Sequence, residues 1–467
     1  MPRAAPRRDS AASPAPLTLA AALRLTGREH LALVGAGGKT RTLFTLARQM
    51  APALVVTTTH LAVGEEARAD AHWVWPPDIS PAAARQALQR LPAAGVHLIT
   101  GPARAARWTA TPALAVVHDW ARARGWPVLV EADGAAQRDL KAPAAHEPAW
   151  PPRVDGVLVL AHAGALGQPL DAARVHRAAR FARLAEVPLG AQLTVEAVAR
   201  VLRHPQGPLR GRPPGAWARA LLRAEEPLAQ ARAGRLARAL LATPSPYAAA
   251  AVMCTDPQGR ARPLAVEAPR GGVVLAAGGA RRFGGRPKVL LPWRGEPLVR
   301  RVARSAWQAG LRPVYVVVGA HAEAVTAAVA DLPVRIVPNP AWATGLASSV
   351  RAAVHAASSS RPAPAALVFF PADHPHLPPT LPRALVEAHA RTLAAVVAPR
   401  LPDGTRGQPV LFDRRTYADL LALQGDVGGR AVLSRYALLE VPWLDEAVGF
   451  DVDTPAAWAR WQQEAGP

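Results

Sequence analysis

Two glycine-rich segments, each placed directly after an apolar run, carry the strongest chemical signals in the chain. The first, LALVGAGGKT, supplies Gly35, Gly37, Gly38, Lys39 and Thr40. Glycines let backbone amides close around phosphate oxygens, lysine adds a positive charge, and a threonine hydroxyl can ligate magnesium. The glycine that a full P-loop has six residues before its lysine is absent. The segment therefore predicts a shortened phosphate-binding loop, the alternative being a tight strand-to-helix turn.

A second apolar run, VLVEADGA, ends in Glu131 and Asp133. Carboxylates at such a strand end can hold the magnesium ion of a nucleotide or orient its water, and we expect Asp133 to be a metal ligand. Basic and histidine side chains follow in the motifs LKAP, HEP and VHR. Each is more often solvated or structural than ligand-binding, and the candidates are Lys141, His146, His176 and Arg177.

The other glycine-rich segment is GVVLAAGGARRFGGRPKVLLPW, whose loop predicts a triphosphate site. Arg282 and Lys288 bring positive charge to the phosphates and to a leaving pyrophosphate, and we expect both to be catalytic. The backbone around the nucleotide would come from Leu275, Ala276, Ala277, Gly278 and Gly279.

Two acidic motifs and one asparagine motif complete the second set. ALVFFPADHP ends a strand in Asp373 and DVDTP offers Asp453, so two carboxylates from different strands are predicted to hold magnesium over the triphosphate. The sole asparagine of the chain, Asn339, opens NPAWATGLASSV, where Gly345 and Ser348 precede or begin a helix. The N-terminus of that helix is a candidate site for an anionic acceptor.

These motifs require strands that end at a common edge. Short Val- and Leu-rich runs alternate with helical stretches in both halves, which is typical of parallel strands buried on both faces. The sequence therefore predicts two doubly wound α/β domains: a P-loop-like nucleotide-binding domain, then a Rossmann-like, GT-A-like nucleotidyltransferase domain. The predicted boundaries are a disordered tail at 1–16, the first domain at 17–250, an aperiodic linker at 251–270 and the second domain at 271–467.

The distribution of charge along the chain limits the kinds of partner that we expect. The 467 residues carry a net charge of +21, from 55 Lys and Arg against 34 Asp and Glu, but the basic residues are spread along the chain. We therefore expect no nucleic-acid partner. Only three basic residues are lysines, at 39, 141 and 288, and all three fall inside the motifs above. A lysine kept in so arginine-rich a chain is a candidate for a role that arginine cannot fill.

The scarcity of cysteine and the absence of long apolar runs limit the kinds of site and the cellular compartment that we expect. The one cysteine, Cys254, excludes an intramolecular disulfide and a cysteine-based metal cluster, and we expect a cytoplasmic protein. No apolar run approaches the roughly 18 residues of a membrane span, so we expect no membrane association. The short, Ala-rich N-terminal stretch is a poor secretory signal.

The first-domain motifs GAGGKT, VVTTTH, VEADGA with LKAP and HEP, GQPLD with VHR, and HPQGPLRGRPPGA resemble the YqeC family. That family comprises accessory proteins for selenium-dependent molybdenum hydroxylases, and the resemblance covers about residues 17–250. It implies that the glycine-rich loop binds a nucleotide, with ATP and GTP both open. Where such proteins often show an Asn-Lys-x-Asp-like stretch, this chain has Arg223 and Ala224 in LLRAEEP.

The second-domain motifs resemble the molybdenum cofactor cytidylyltransferase (MocA) family within the MobA-like nucleotidyltransferases. They are LAAG, PK, NPAWATGLASS, the D-x-P of Asp373, RGQPVLF, GDVGGR and DVDTP, in order over residues 271–467. The resemblance implies that CTP, with Mg²⁺, is attacked at its α-phosphate by the terminal phosphate of a molybdopterin-type cofactor. It also places the loop with Gly407 and Gln408 toward the acceptor, with Asn339, Gly345 and Ser348.

The sequence thus predicts a fusion of a nucleotide-binding maturation factor with a cytidylyltransferase, serving an apo molybdenum hydroxylase of the xanthine dehydrogenase type. Two alternatives stay open. One is a nucleotidyltransferase that acts on another phosphorylated acceptor, and the other is a non-catalytic, nucleotide-sensing chaperone that binds the cofactor and delivers it.

Overall fold

The computed structural model describes residues 17–279 and 287–450, together with residues 454, 458 and 459. They divide into two units. The first comprises residues up to 242 and residues 250–265, and the second comprises residues 243–249 and those from 266 onward. The predicted tail at 1–16 and the predicted site residues Arg282 and Asp453 lie outside the described residues.

The first unit alternates strands and helices. Its strands are β1 (His30–Gly35), β2 (Ala53–Thr57), β3 (His60–Ala62), β4 (Ala71–Val74), β5 (Val96–Thr100), β6 (Ala103–Arg104), β7 (Arg107–Thr109), β8 (Val128–Glu131), β9 (Leu140–Lys141), β10 (Gly156–His162), β11 (Val175–His176), β12 (Trp217–Arg223), β13 (Ala249–Thr255) and β14 (Ala261–Glu267). Its helices are α1 (Leu19–Ala22), α2 (Lys39–Gln49), α3 (Pro81–Gln89), α4 (Leu114–Arg124), α5 (Ala178–Ala185), α6 (Val195–Arg203) and α7 (Pro227–Leu241).

Nine of these strands form one sheet in the order β14-β13-β12-β10-β1-β8-β2-β5-β4. The pairings from β12 across to β4 are parallel. Every residue of β1 is buried, as expected for a continuous apolar run covered on both faces. Helices α3 and α4 pack on this sheet through Leu88 and Val117. A small separate sheet, β3-β7-β6, stands beside the main one.

The predicted linker at 251–270 is wrong, because β13 and β14 occupy most of it and extend the first sheet. The residues between these two strands, 256–260, form a tight turn. The Asp256 amide donates to the Arg260 carbonyl at 2.8 Å, and Gly259 adopts a left-handed φ of +78°. Pro263 is tolerated because β14 is the edge strand of the sheet, and the backbone groups on its outer side have no neighbouring strand to pair with.

The second unit has strands β15 (Arg270–Ala276), β16 (Pro292–Trp293), β17 (Glu296–Pro297), β18 (Val314–Val318), β19 (Val334–Pro338), β20 (Ala366–Pro371), β21 (Val396–Arg400), β22 (Val410–Asp413) and β23 (Leu438–Pro442). Its helices are α8 (Leu298–Gln308), α9 (Ala322–Ala328), α10 (Leu346–Ser359), α11 (Thr380–Thr392) and α12 (Tyr417–Leu421).

Seven of these strands form a mixed sheet in the order β19-β18-β15-β20-β22-β21-β23. Strands β19, β18, β15 and β20 are parallel, and β22 runs antiparallel to both of its neighbours. Successive residues of β15 enter cores on opposite faces of the sheet, Val274 on one and Val273 on the other. The predicted α/β class is therefore confirmed.

Gly35, at the end of β1, marks a close approach between two strands. A Cβ built there would lie 2.3 Å from the Leu160 carbonyl oxygen of β10, and the residue has a φ of +92°. The carbonyl of Leu160 accepts a hydrogen bond from the next amide, that of Ala36, at 2.9 Å. Only a residue without a side chain lets the chain leave β1 into the following loop at this distance.

Gly35→Ala should therefore destabilise the protein more than Gly64→Ala, which also places alanine at a positive φ, of +101°, but in open space. Both changes cost roughly 1–2 kcal/mol for the left-handed backbone. Gly35→Ala adds about 1–3 kcal/mol of steric overlap. Thermal unfolding of both variants tests this, since each kcal/mol of destabilisation lowers the melting temperature by about 2–4 °C. Equal melting temperatures would show that the strands can move apart at no cost.

Candidate functional site

In the first unit, the predicted phosphate loop lies between β1 and α2. Its three glycines have positive φ angles of +92°, +88° and +106°. Three of its amides already have partners, because Gly35 donates to Asp133, Ala36 donates to Leu160 and Gly37 donates to the Arg138 carbonyl at 3.1 Å. Lys39 and Thr40 begin α2, where first-turn amides have no acceptor within the helix. The part of the loop suited to phosphate is thus the start of α2.

Lys39 is buried and turned back toward the sheet. Its Nζ donates to the Gly35 carbonyl at 2.8 Å and lies 3.2 Å from Asp133 Oδ1. The other oxygen of Asp133 accepts from Lys141 Nζ at 2.9 Å and from the Gly35 amide at 3.0 Å. The prediction of Asp133 as a metal ligand is therefore not supported, because two ammonium groups and an amide already surround this buried carboxylate.

Glu131 fits a metal better than Asp133 does. It ends β8, lines the open cavity, and accepts a hydrogen bond from Thr40 Oγ1 at 2.9 Å. Burial raises the pKa of Glu131, although Lys39 and the Thr40 hydroxyl oppose that shift. The hydroxyl and the carboxylate together form a pair of hard oxygen donors next to the phosphate loop. The sequence showed Glu131 in the motif VEAD, but the metal ligand that it predicted there was Asp133.

The LKAP, HEP and VHR motifs meet on one carboxylate, Glu147. Lys141 Nζ lies 2.9 Å from Glu147 Oε2, and Arg177 donates to both oxygens of Glu147 at 2.7 and 3.2 Å. Burial by itself would raise the pKa of Glu147, but hydrogen bonds from Arg177, the Ala144 amide and Lys141 outweigh it and lower that pKa to about 2. Sequence reasoning had singled out the basic partners and not the acid that joins them.

An open cavity of about 1220 Å³ lies over the carboxyl ends of the parallel strands of this unit. Its centre is the phosphate loop with Glu131. His146 and His176 lie in its wall, as does Arg223, whose guanidinium approaches Gly38. Burial lowers the pKa of His176, and the charge of Arg177 adds to the effect, so this imidazole is neutral at pH 7.

In the second unit, the carboxyl ends of β15 and β20 lie side by side, with Leu275 opposite Pro371. Gly278 and Gly279 follow β15, and Gly279 packs against the Trp342 ring, 2.9 Å from where a Cβ would stand. Ala276 and Ala277 are buried beneath this turn. The five residues predicted to surround the nucleotide thus lie at the edge of the sheet, and the residues that follow them, 280–286, lie outside the described part of the chain.

Lys288 and Asp373 form an ion pair next to that edge. Lys288 begins a short 3₁₀ turn and Asp373 follows β20, so the two residues come from distant parts of the chain. The carboxylate is 14% exposed and the lysine 26%, which leaves both accessible to a ligand. The structure thus brings together two residues that the sequence predicted to act on one triphosphate.

Asn339 and Ser348 hold the protein's own backbone in place. The Asn339 amide nitrogen donates to Ser348 Oγ at 2.8 Å and to Ser349 Oγ at 3.0 Å, and its oxygen accepts from the Ala341 amide. Both Asn339 and Ser348 are buried at the start of α10. Gly345 precedes that helix at a φ of +112°. None of the three lines the cavity of this unit, so acceptor binding by them stays a prediction.

That cavity, of about 790 Å³, lies on the face of the sheet that carries α10. The apolar side chains of Leu275, Phe369 and Phe412 line it. Its polar lining comes from the loop with Gly407 and Gln408, and its positive charge comes from Arg406 and Arg430. An apolar interior with a few charged groups suits a flat organic ring that carries a phosphate. Arg430 belongs to the motif GDVGGR, to which the sequence by itself assigns no role.

Two protein-family models match the chain, one in each unit. Residues 272–441 match the model of the MobA-like NTP transferase domain, and residues 31–179 match that of the YqeC protein. No helix in the described part of the chain has the length and apolar character of a membrane span.

Two curated relatives cover one part of the chain each. Nicotine blue oxidoreductase of Paenarthrobacter nicotinovorans is 35% identical over 197 residues, which is 39% of this chain and 91% of that protein. The uncharacterized protein YqeC of Escherichia coli K12 is 29% identical over 208 residues, 40% of this chain and 72% of that protein. Among solved structures, Rv0371c of Mycobacterium tuberculosis H37Rv is 29% identical, with a TM-score of 0.37 over 42% of this chain and 98% of that one.

Replacing Glu147 tests the buried charge network. Its pKa of about 2 lies below the ordinary value of 4.5, so its stabilising effect is complete above pH 4.5 and is lost as the pH falls toward 2. Glu147→Gln should destabilise the protein by about 1–3 kcal/mol at pH 7. The difference from wild type should shrink between pH 4.5 and 2, as measured by urea unfolding.

Glu186→Gln is the matched control, because the Glu186 side chain is 74% exposed in the same unit. It should change stability little at any pH. A Glu147→Gln effect that stays constant down to pH 2 would contradict the assigned charge network.

Proposed function

The chain belongs to the MobA-like NTP transferase family through its second unit and carries a YqeC domain in its first, and from this we propose a bifunctional molybdenum cofactor maturation protein. Its second unit is a nucleotidyltransferase. We propose that it transfers CMP from CTP to the terminal phosphate of a molybdopterin-type cofactor and releases pyrophosphate. The first unit would act as a nucleotide-binding accessory in the cytosol for an apo molybdenum hydroxylase.

The observation that carries this proposal is the juxtaposition of Lys288 and Asp373 at the carboxyl ends of β15 and β20. In open α/β sheets, ligands bind outside the carboxyl ends of the strands. A carboxylate paired with a lysine next to a glycine turn offers both charges that a triphosphate with a divalent cation requires. On the α10 face of the same sheet, the cavity with Arg406 and Gln408 has the apolar lining and positive charge for a phosphorylated acceptor.

The proposed reaction is a single displacement. An oxygen of the acceptor phosphate attacks the α-phosphorus of CTP, the bond from that phosphorus to the β-bridging oxygen breaks, and pyrophosphate leaves with both electrons of the bond. The nucleophile is already an anion, so no general base is needed, and positioning and charge neutralisation supply the catalysis. Lys288 would stabilise the charge that grows on the leaving group. Arg406 would orient the acceptor phosphate.

Asp373 fits a divalent cation as one hard oxygen ligand, since it is accessible and stands at the phosphate edge. Magnesium held there would neutralise charge on the triphosphate. In the first unit, the Thr40 hydroxyl and Glu131 fit the same ion. The described residues hold no cluster of three or more acidic, histidine or cysteine ligands. A cation bound at either position would therefore take most of its ligands from phosphate and water.

A second candidate function comes from the relative from P. nicotinovorans, whose name describes an oxidoreductase acting on nicotine blue. By that analogy the second unit would reduce an organic substrate. The transferase function and the oxidoreductase function predict different products. A transferase releases pyrophosphate from CTP, whereas an oxidoreductase oxidises a hydride donor such as a reduced nicotinamide dinucleotide. The non-catalytic chaperone and a different phosphorylated acceptor remain the alternatives within cofactor handling.

The second unit is tested by pyrophosphate release from each of the four NTPs with Mg²⁺, with and without molybdopterin. We expect release with CTP that depends on the pterin. Asp373→Ala should reduce the rate at least about 100-fold, because charge-assisted contacts in the transition state are worth several kcal/mol. Asp331→Ala is the matched control, since Asp331 is an exposed aspartate of the same unit that pairs with Arg300.

Equal turnover of all four NTPs without pterin would overturn the proposed substrates. Oxidation of a reduced nicotinamide dinucleotide with nicotine blue, and no pyrophosphate, would favour the oxidoreductase. Binding of the cofactor with neither reaction would favour the chaperone.

Nucleotide binding by the first unit is tested with Lys39→Met. Removal of the one cationic side chain of the phosphate loop should weaken ATP or GTP binding at least about tenfold, measured by calorimetry. Arg48→Met removes a positive charge from the last turn of the same helix, where Arg48 pairs with Asp70 on the surface, and should leave binding unchanged. Equal affinities of the two variants would show that the loop is only a turn.

A further inference from the structure

The cavity of the first unit is larger than one nucleotide needs. It measures about 1220 Å³, whereas a site for a single small ligand usually spans about 300–1,000 Å³. We propose that a second ligand, a small phosphorylated molecule, binds beside the terminal phosphate of the nucleotide, on a subsite formed by Arg41, Arg68 and Arg107. This inference rests on the proposed nucleotide-binding role of the first unit.

The position of the terminal phosphate follows from the pair Thr40 and Glu131. The Thr40 hydroxyl and the Glu131 carboxylate would hold the magnesium ion of a bound nucleotide, which would neutralise charge on its terminal phosphates. Glu131 ends β8, and the neighbouring strand on that side is β2, with Thr57 in register with Glu131. The part of the cavity beyond the terminal phosphate is therefore bordered by the end of β2 and by the small sheet β3-β7-β6.

That part of the cavity is positively charged. Arg41 projects from the first turn of α2 and Arg107 from β7, and neither guanidinium has an ion pair or hydrogen bond within residues 17–279 and 287–450. Arg68 pairs with Glu65, the one acid that lines this side apart from Glu131. Arginine forks that lack a carboxylate partner are matched in geometry to phosphate oxygens.

A hydroxyl points to the same place. Thr59 follows β2 and lines the cavity, and its Oγ1 is shielded from solvent without a hydrogen-bond partner among the described residues. A shielded hydroxyl without a partner costs free energy unless a ligand or water satisfies it. With Arg41 and Arg107, it supplies the kind of donors that hold a phosphate group.

The opposite side of the cavity carries paired or neutral side chains, so the two ligands would bind on different sides. There Arg223 pairs with Glu225 at 2.6 Å. Burial lowers the pKa of His162, and the same holds for His176, so neither imidazole adds positive charge at pH 7. This side suits the uncharged nucleoside. Arg138 lines the cavity next to the phosphate loop, whereas Arg41 and Arg107 lie on the β2 side, where the second phosphorylated molecule would bind.

The test is calorimetric titration of the full chain with inorganic pyrophosphate, after saturation with Mg²⁺ and a non-hydrolysable ATP or GTP analogue. Three proteins are compared: wild type, Arg41→Gln/Arg107→Gln, and Arg104→Gln. Arg104 is the matched control, because it faces Arg107 across the β6–β7 pair but does not line the cavity. The second unit is identical in all three, so any heat from pyrophosphate bound there is common to them.

We expect wild type and Arg104→Gln to bind one more pyrophosphate than the double variant does, or to bind it at least about tenfold more tightly. All three should bind the nucleotide analogue alike. Identical pyrophosphate titrations for the three proteins would overturn the subsite.

The first titration, with the nucleotide analogue alone, separates the two proposals. If wild type binds no analogue, the nucleotide-binding role fails, and the pyrophosphate titration then reports on the arginines alone. A loss confined to the double variant would still support the subsite, and no difference would refute it.

Discussion

Parallel strand pairing is the constraint on which both sites depend. In a parallel sheet every strand ends at the same edge, so residues far apart in sequence are brought together without any direct link between them. Strand β1 pairs with β8 and β10, which brings Lys39 close to Asp133. Strand β15 pairs with β20, which brings Lys288 close to Asp373. A register shift of one residue in either sheet would separate these charges and move the side chains of the strand to the opposite face of the sheet.

The three lysines of the chain share one arrangement. Each forms an ion pair with an aspartate that follows a strand: Lys39 and Lys141 with Asp133, and Lys288 with Asp373. A lysine ammonium is compact and can enter a narrow space between backbone and carboxylate, which a planar guanidinium cannot. Lys39 and Lys141 occupy such a space, with 5% and 1% of their side chains exposed, whereas the Lys288 side chain is 26% exposed.

The sequence predicted the class of fold and the location of the glycine loops, because continuous apolar runs and glycine spacing are local signals. It misjudged features that depend on distant partners. Asp133 and Glu131 look equivalent in VEADGA, and only the approach of two lysines shows that Asp133 is enclosed whereas Glu131 faces the cavity. The hydrogen bonds from the Asn339 amide to two serines of α10 are likewise invisible in the sequence, and acceptor binding by Asn339 stays a prediction. The turn at Gly259 looked like a linker because a hairpin at a sheet edge has the same composition.

We propose above that the second unit transfers a nucleotidyl group to a phosphorylated acceptor. The most direct measurement follows the label from CTP radiolabelled at the α-phosphate or at the γ-phosphate, with molybdopterin as acceptor. We expect the α-label in the pterin product and the γ-label in pyrophosphate, and Asp373→Ala should slow the appearance of both at least about 100-fold. Recovery of the γ-label in the pterin, or of neither label outside CTP, would contradict it.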